Sequence, residues 1–82
     1  MAEFQYVIKN EAGLHARPAG QLVRLVKETD CAVTIEKDGR SVDAGRLMAL
    51  MSLGVKKGDE ITVVADDDEM LETLKHFFES QL

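Results

Sequence analysis

The chain is poor in several residue types, and each shortage narrows what it can be. Its 82 residues include one cysteine, one proline and no tryptophan, while 45% are hydrophobic. A lone cysteine cannot form an internal disulfide, and the hydrophobic content favours a folded chain over a disordered one. No apolar run approaches the ~20 residues of a membrane span, and the first residues lack an export signal. We therefore expect one domain over residues 1–82, located in the cytoplasm and without membrane contact.

Basic residues are also scarce. The chain has 10 basic and 15 acidic residues, a formal net charge of −5, which disfavours nucleic acid as a partner. Six of the 10 basic residues lie in the first half, whereas eight of the 15 acidic residues lie in the last third. A local basic patch on an acidic chain favours an acidic protein partner. No spacing of histidine, cysteine and carboxylate residues typical of a metal site is present, so we expect neither a metal nor a cofactor.

Hydrophobic periodicity predicts seven elements in the order βαββαβα. The spacing of 3.6 residues and the alternation of two residues distinguish the helices from the strands. Gly54 predicts the end of the second helix, and Asp38-Gly39 predicts a two-residue hairpin turn. These hairpin-type connections predict an α+β fold in two layers, with one sheet face covered by helices. The predicted strands are 4–8, 32–37, 40–43 and 61–65, and the predicted helices are 16–27, 47–53 and 66–82.

The segment 13–19 is the most informative part of the chain, because it places a histidine where a helix begins. If Ala16 is the first helical residue, His15 is the N-cap, and the amides of Ala16 and Arg17 lack intrahelical acceptors. Those amides and the Arg17 guanidinium can bind an anion, and a neutral imidazole can attack phosphorus. The segment predicts a phosphoryl acceptor at His15. For histidines before helices in general, a weak cap without function is the commoner interpretation, which the surrounding sequence disfavours here.

The second helix carries an excess of apolar residues. A two-turn helix resting on a sheet buries only one side. We predict that Leu50 and Leu53 are buried, and that Leu47, Met48 and Met51 are at least partly exposed. Flexible thioethers on an exposed apolar surface suit a transient protein partner. The alternative, in which all five side chains belong to the core, remains open at this stage.

A polar stripe on the first helix begins at His15. It contains Arg17, Gln21 and Arg24, with Lys27 beside it. If the second helix packs alongside, one face presents a nucleophile, a rim of cations and an apolar centre. This is the anatomy of a transient protein interface.

The segments 13–19 and 48–58 resemble HPr, the family of histidine-containing phosphocarriers of the bacterial sugar phosphotransferase system, and the similarity spans essentially the whole chain. The resemblance implies an open-faced β-sandwich, in which a four-stranded antiparallel sheet carries three helices on one face. It implies a covalent phosphocarrier rather than a stand-alone enzyme. The carrier would accept a phosphoryl group from phosphorylated Enzyme I, which is itself charged by phosphoenolpyruvate. It would pass the group to IIA components of sugar permeases.

The resemblance also assigns roles to individual residues. His15 matches the phosphorylated histidine, which reacts through Nδ1, and Arg17 matches the active-site arginine. Arg46 stands where many relatives carry a regulatory serine, so serine regulation is not expected. Ala12 stands where many relatives carry a polar residue, so it offers the site no side-chain hydrogen bond. We expect a monomer, as suits a small transient carrier. The positions that match the partner-binding surface are Gly20, Gln21, Arg24, Lys27, Leu47, Met48 and Met51.

Two other functions are compatible with the sequence. The chain could be a paralogue that serves a nitrogen-related or other dedicated phosphorelay. It could also be a regulatory binding module in which His15 is incidental. The sequence does not indicate which sugar would be transported, because that specificity would belong to the permease.

Overall fold

A computed structural model describes residues 2–82 and contains the seven elements in the predicted order. All strand pairs are antiparallel, and the order across the sheet is β1-β4-β2-β3. The predicted α+β architecture with one four-stranded sheet is therefore confirmed. The elements are β1 (Ala2–Val7), α1 (Ala16–Lys27), β2 (Val33–Lys37), β3 (Arg40–Asp43), α2 (Leu47–Ser52), β4 (Glu60–Ala65) and α3 (Asp68–Gln81).

Strand β1 differs from its predicted range because its partner sets its length. It pairs with β4 from Ala2 opposite Ala65 to Val7 opposite Glu60, so it begins two residues earlier than the alternation predicted. Ile8 has left this ladder, but its N–H donates to the Asp59 carbonyl (3.0 Å) and its side chain is buried. The strand therefore ends earlier than predicted, although Ile8 still faces inward. Every other boundary lies within two residues of its prediction.

The core fills the space between the inward face of the sheet and the helices. On the sheet side, Ile35, Ile61 and Val63 are fully buried. Helix α3 buries an apolar stripe that comprises Met70, Leu71, Leu74 and Phe78. Phe78 anchors the stripe through edge-to-face contacts with Phe4, Tyr6 and Phe77. No buried side chain among residues 2–82 is polar or charged.

The turns adopt the conformations that the sequence predicted. Asp38 and Gly39 both have positive φ (51° and 83°), as a two-residue hairpin of this kind requires. Gly54 has φ 62° immediately after the C-cap residue Leu53, which ends α2. Within the described range, 2–82, no helix combines the length and apolar character needed to cross a membrane.

An ion pair fixes the end of α2 to the loop before β4. Lys37 Nζ donates to the carbonyls of Leu53 (3.4 Å) and Gly54 (3.1 Å), and lies 3.1 Å from Asp59 Oδ2. The same carboxylate oxygen accepts the Lys56 N–H at 2.8 Å. A cation at the carbonyl end of a helix is favourable, so this cluster stabilises both α2 and the loop after it.

This cluster predicts an acid-dependent part of the stability. The Lys56 N–H and the Lys37 ammonium lower the pKa of Asp59 from its ordinary value. Because the folded-state pKa is the lower one, the stabilisation is present above the ordinary pKa and is lost as pH falls through the folded value. We expect the melting temperature to fall on acidification from about pH 5 toward pH 2, and Asp59→Asn to flatten that decline. Glu60→Gln, which alters a neighbouring exposed carboxylate, serves as the control, and an undiminished decline in Asp59→Asn would contradict the assignment.

Candidate phosphoryl-acceptor site

His15 is the N-cap residue of α1, as the sequence predicted. Its backbone is extended (φ −91°, ψ −178°), and its carbonyl accepts the Ala19 N–H at 3.0 Å. Its ring makes no capping hydrogen bond within residues 2–82, and the residue is only partly buried. The imidazole is therefore accessible to a partner and is not committed to holding the helix.

The first turn of α1 presents unpaired donors beside this ring. The amides of Ala16 and Arg17 donate no hydrogen bond to any part of the chain that the structure describes, and Pro18 has no N–H. This turn contains no acidic residue that could compete with a bound anion. Two free amides and the positive end of a 12-residue helix thus favour an anion next to His15.

The Arg17 side chain is also free to meet an anion. The residue is exposed, and its guanidinium forms no ion pair with the residues described. A planar guanidinium binds phosphate oxygens with geometric specificity. The structure brings together the predicted components of the site on adjacent residues of one helix start: His15, the two amides and the Arg17 side chain.

The loop before His15 is held closely against the segment after α2. The Leu14 N–H donates to the Val55 carbonyl (3.1 Å), and the His15 N–H donates to the Gly13 carbonyl (3.0 Å). Gly13 has φ 67°, and a Cβ there would lie 2.5 Å from the Val55 oxygen. Gly13 therefore permits a close approach between this loop and the Val55 backbone. Leu14 is buried and belongs to the core, which anchors the start of α1.

Helix α2 divides its apolar residues as predicted. Leu50 and Leu53 are buried, whereas Leu47, Met48 and Met51 are 40%, 82% and 38% exposed. The alternative in which all five belong to the core is therefore wrong. We refer to Leu47, Met48 and Met51 as the docking patch. Exposed apolar residues clustered on one short helix indicate an interaction surface.

The polar stripe lies on the helix next to this patch. Gln21, Arg24 and Lys27 are exposed, and Gly20 is partly exposed. Helices α1 and α2 pack against each other, so the stripe and the docking patch occupy neighbouring elements. Arg46 is the N-cap of α2, and its 79% exposed side chain lies 4.0 Å from Asp43, a loose ion pair.

One polar contact had no signal in the sequence. The half-buried Cys31 lies with its thiol 2.9 Å from Asp66 Oδ1, and the same oxygen accepts the Ala32 N–H at 3.3 Å. Burial and the neighbouring carboxylate raise the pKa of Cys31. A raised pKa favours the protonated thiol, whose hydrogen-bond partner lies 35 positions away along the chain.

The candidate site is an open surface rather than a cleft. A groove of about 650 Å³ lies instead at the C-terminal end of α1, lined by Lys27, Cys31 and Arg46 among others, and His15 does not line it. No group of three or more potential metal ligands occurs in the described part of the chain.

Comparison with known proteins identifies the family. A family model described as the PTS HPr component phosphorylation site matches residues 2–80. The chain belongs to the HPr family. It is 38% identical over 76 residues to the phosphocarrier protein HPr of Vibrio cholerae serotype O1, covering 93% of this chain and 89% of that protein. It is also 38% identical over 84 residues to the HPr-like protein Crh of Halalkalibacterium halodurans, covering 99% and 100%.

The fold is that of solved HPr structures. HPr-C-His from Thermoanaerobacter tengcongensis superimposes with a TM-score of 0.90 at 37% identity, covering 98% of this chain and 93% of that one. Membership of the HPr family makes the chain a phosphocarrier protein rather than a stand-alone enzyme. Solved relatives include an HPr dimer and a Crh dimer, so the expectation of a monomer has no support from the family.

Proposed function

We propose that His15 transiently carries a phosphoryl group, which it accepts from phosphorylated Enzyme I and passes to IIA components of sugar permeases. The observation that supports this most is the pair of unpaired amides, Ala16 and Arg17, beside an accessible imidazole. Such a relay between proteins would operate in the cytoplasm. The site uses no cofactor or metal in this proposal.

The transfer needs only the ring and the donors around it. A lone pair on the neutral imidazole, on Nδ1 by resemblance to the family, forms a bond to phosphorus. The bond between phosphorus and the donor protein breaks, and its electron pair stays with the donor. The new group carries close to two negative charges, which the free amides and Arg17 stabilise through charge-assisted hydrogen bonds. Transfer to the next protein reverses these changes at His15.

We infer that the docking patch and the polar stripe bind both partners. The patch would supply apolar contact, and the cations of the stripe would meet acidic residues around the partner's own phosphoryl site. Arg46 lacks the hydroxyl that serine-directed regulation requires, so this chain would not respond to such a kinase at that position. Arg46 would instead add a fixed positive charge beside the docking patch.

A direct experiment tests the proposed function. The chain is incubated with phosphoenolpyruvate and a catalytic amount of Enzyme I, and its intact mass is measured. We expect a gain of one acid-labile phosphoryl group, followed by its loss when a IIA domain is added. No gain would mean that the chain is an interaction module only. Light scattering on the same samples gives the oligomeric state, since the relatives include dimers.

Arg46 also favours a second candidate, a carrier for another dedicated phosphorelay, because the regulatory hydroxyl of sugar-pathway relatives is absent. Transfer from the phosphorylated chain to a panel of IIA domains separates the two candidates. Fast transfer to IIA domains of sugar permeases supports the first candidate. Fast transfer only to nitrogen-related IIA domains supports the second.

The docking patch predicts a substitution that affects binding and spares the fold. Met48 is 82% exposed, so Met48→Glu should change the free energy of unfolding by no more than about 0.5 kcal/mol. The new charge in the apolar centre of the interface should raise the apparent KM for phosphorylated Enzyme I about tenfold or more. Val7→Glu, at an exposed apolar residue on β1, is the matched control. An equal effect of the two substitutions would contradict the assignment of the patch.

A further inference from the structure

Asn10 occupies an unusual position between the end of α3 and the loop that leads to His15. The amide nitrogen of its side chain donates to the Gln81 carbonyl (3.3 Å), and its side-chain oxygen accepts the Ala12 N–H (3.0 Å). Its backbone N–H donates to the Leu82 carbonyl (2.8 Å), and its own carbonyl accepts the Gly13 N–H (3.0 Å). The residue is only partly exposed. One asparagine therefore satisfies four partners around this loop.

These contacts continue to the histidine. The Gly13 N–H donates to Asn10, and the Gly13 carbonyl in turn accepts the His15 N–H. The side-chain bond from Asn10 to the Ala12 amide closes the turn that starts this relay, as asparagine side chains commonly do two residues ahead. On the opposite side, the Val55 carbonyl holds the Leu14 amide. The backbone position of His15 therefore depends on a turn that the Asn10 side chain closes from within, and Glu11 of the same turn pairs with Lys57 (2.6 Å).

We propose that Asn10 is a positioning residue for phosphoryl transfer. The hydrogen bond that its side-chain oxygen accepts from the Ala12 amide keeps the His15 backbone in place beside the Ala16 and Arg17 amides. This inference rests on the proposed function of His15. A small displacement of the nucleophile slows the chemical step. It leaves unchanged the binding of the partner protein to the rest of the surface. The effect should thus fall on kcat and not on KM.

The test compares variants that keep or remove the side-chain acceptor. Asn10→Ala removes it, whereas Asn10→Ser and Asn10→Asp retain an oxygen that can accept the Ala12 amide. Asn10→Ala also removes the bond to the Gln81 carbonyl. We expect it to lower kcat for phosphoryl transfer from Enzyme I about three- to tenfold, which corresponds to the loss of the neutral hydrogen bond to the Ala12 amide. The KM should stay within about twofold, because the docking patch is intact. At least one of the two acceptor-retaining variants should restore kcat.

Thr29→Ala is the matched control. Thr29 Oγ1 also accepts an amide two residues ahead, that of Cys31 at 3.2 Å, but it lies beyond the opposite end of α1. Its loss should lower the melting temperature about as much as Asn10→Ala does and leave kcat unchanged. If Thr29→Ala slowed transfer equally, general loosening of the fold would explain the effect and the proposal would be wrong. It would be equally wrong if Asn10→Ala retained the wild-type kcat, or if neither acceptor-retaining variant recovered it.

Hydrogen exchange separates this inference from the proposed function. In the unphosphorylated protein, Asn10→Ala should speed hydrogen exchange of the Ala12, Gly13 and His15 amides by about fivefold or more. The hydrogen bond of each amide forms only when this turn is closed. Unchanged exchange at these amides contradicts the positioning role. If the wild-type chain took no phosphoryl group, the proposed function would fail, and these three amides would still decide whether Asn10 organises the loop.

Discussion

Gly13→Ala should destabilise the protein by about 2–4 kcal/mol, because two separate costs coincide at this residue. Gly13 has φ 67°, a conformation that L side chains rarely adopt. The added Cβ would also lie 2.5 Å from the Val55 oxygen and 2.8 Å from the Lys56 Cα, both of which are backbone atoms. The loop can relieve this contact only by moving away from Val55, which breaks the Leu14 hydrogen bond. Urea denaturation gives the loss in the free energy of unfolding.

Gly39→Ala isolates the conformational cost. Gly39 also has a positive φ (83°), but nothing lies within 4 Å of a Cβ built there. We expect a loss of about 1 kcal/mol in this variant, against the larger loss at Gly13. Equal losses would show that the contact with Val55 is not tight in solution. Because the displaced loop leads directly to His15, Gly13→Ala should also slow phosphorylation of molecules that remain folded.

His15→Ala should abolish the phosphoryl gain altogether while the fold persists. The ring makes no capping hydrogen bond and is partly exposed, so its removal should change the free energy of unfolding by less than about 1 kcal/mol. His76→Ala is the matched control, because His76 is the other histidine of the chain and lies exposed on α3. That variant should be phosphorylated at the wild-type rate. An acid-labile phosphoryl group on His15→Ala would move the acceptor to another residue.

The predictions that succeeded from sequence rest on local patterns. The start of α1 follows from the helical spacing of apolar residues, and the unpaired amides follow from helix geometry alone. The division of α2 into buried Leu50 and exposed Met48 follows from the 3.6-residue period. These features depend on residues within a few positions of each other, so a single sequence is enough to predict them.

The features that the sequence did not predict depend on distant partners. The extent of β1 is set by pairing with β4, almost 60 positions along the chain, as in the register of Gln5 and Thr62. The contact of Cys31 with Asp66 spans 35 positions, and that of Asn10 with Gln81 spans 71. Hydrophobic periodicity does not predict a distant hydrogen-bond partner for an asparagine or an aspartate, because only the folded structure brings the two positions together.

The Ala16 and Arg17 amides offer the most direct test of how the site works. Two-dimensional NMR of the labelled chain is recorded before and after phosphorylation, with phosphorus–nitrogen couplings measured in the phosphorylated form. We predict that the phosphorus couples to His15 Nδ1, and that the Ala16 and Arg17 amide protons show the largest downfield shifts in the spectrum. A phosphoryl group on His15 with both amides unmoved, or a coupling to any other residue, would contradict the proposed site.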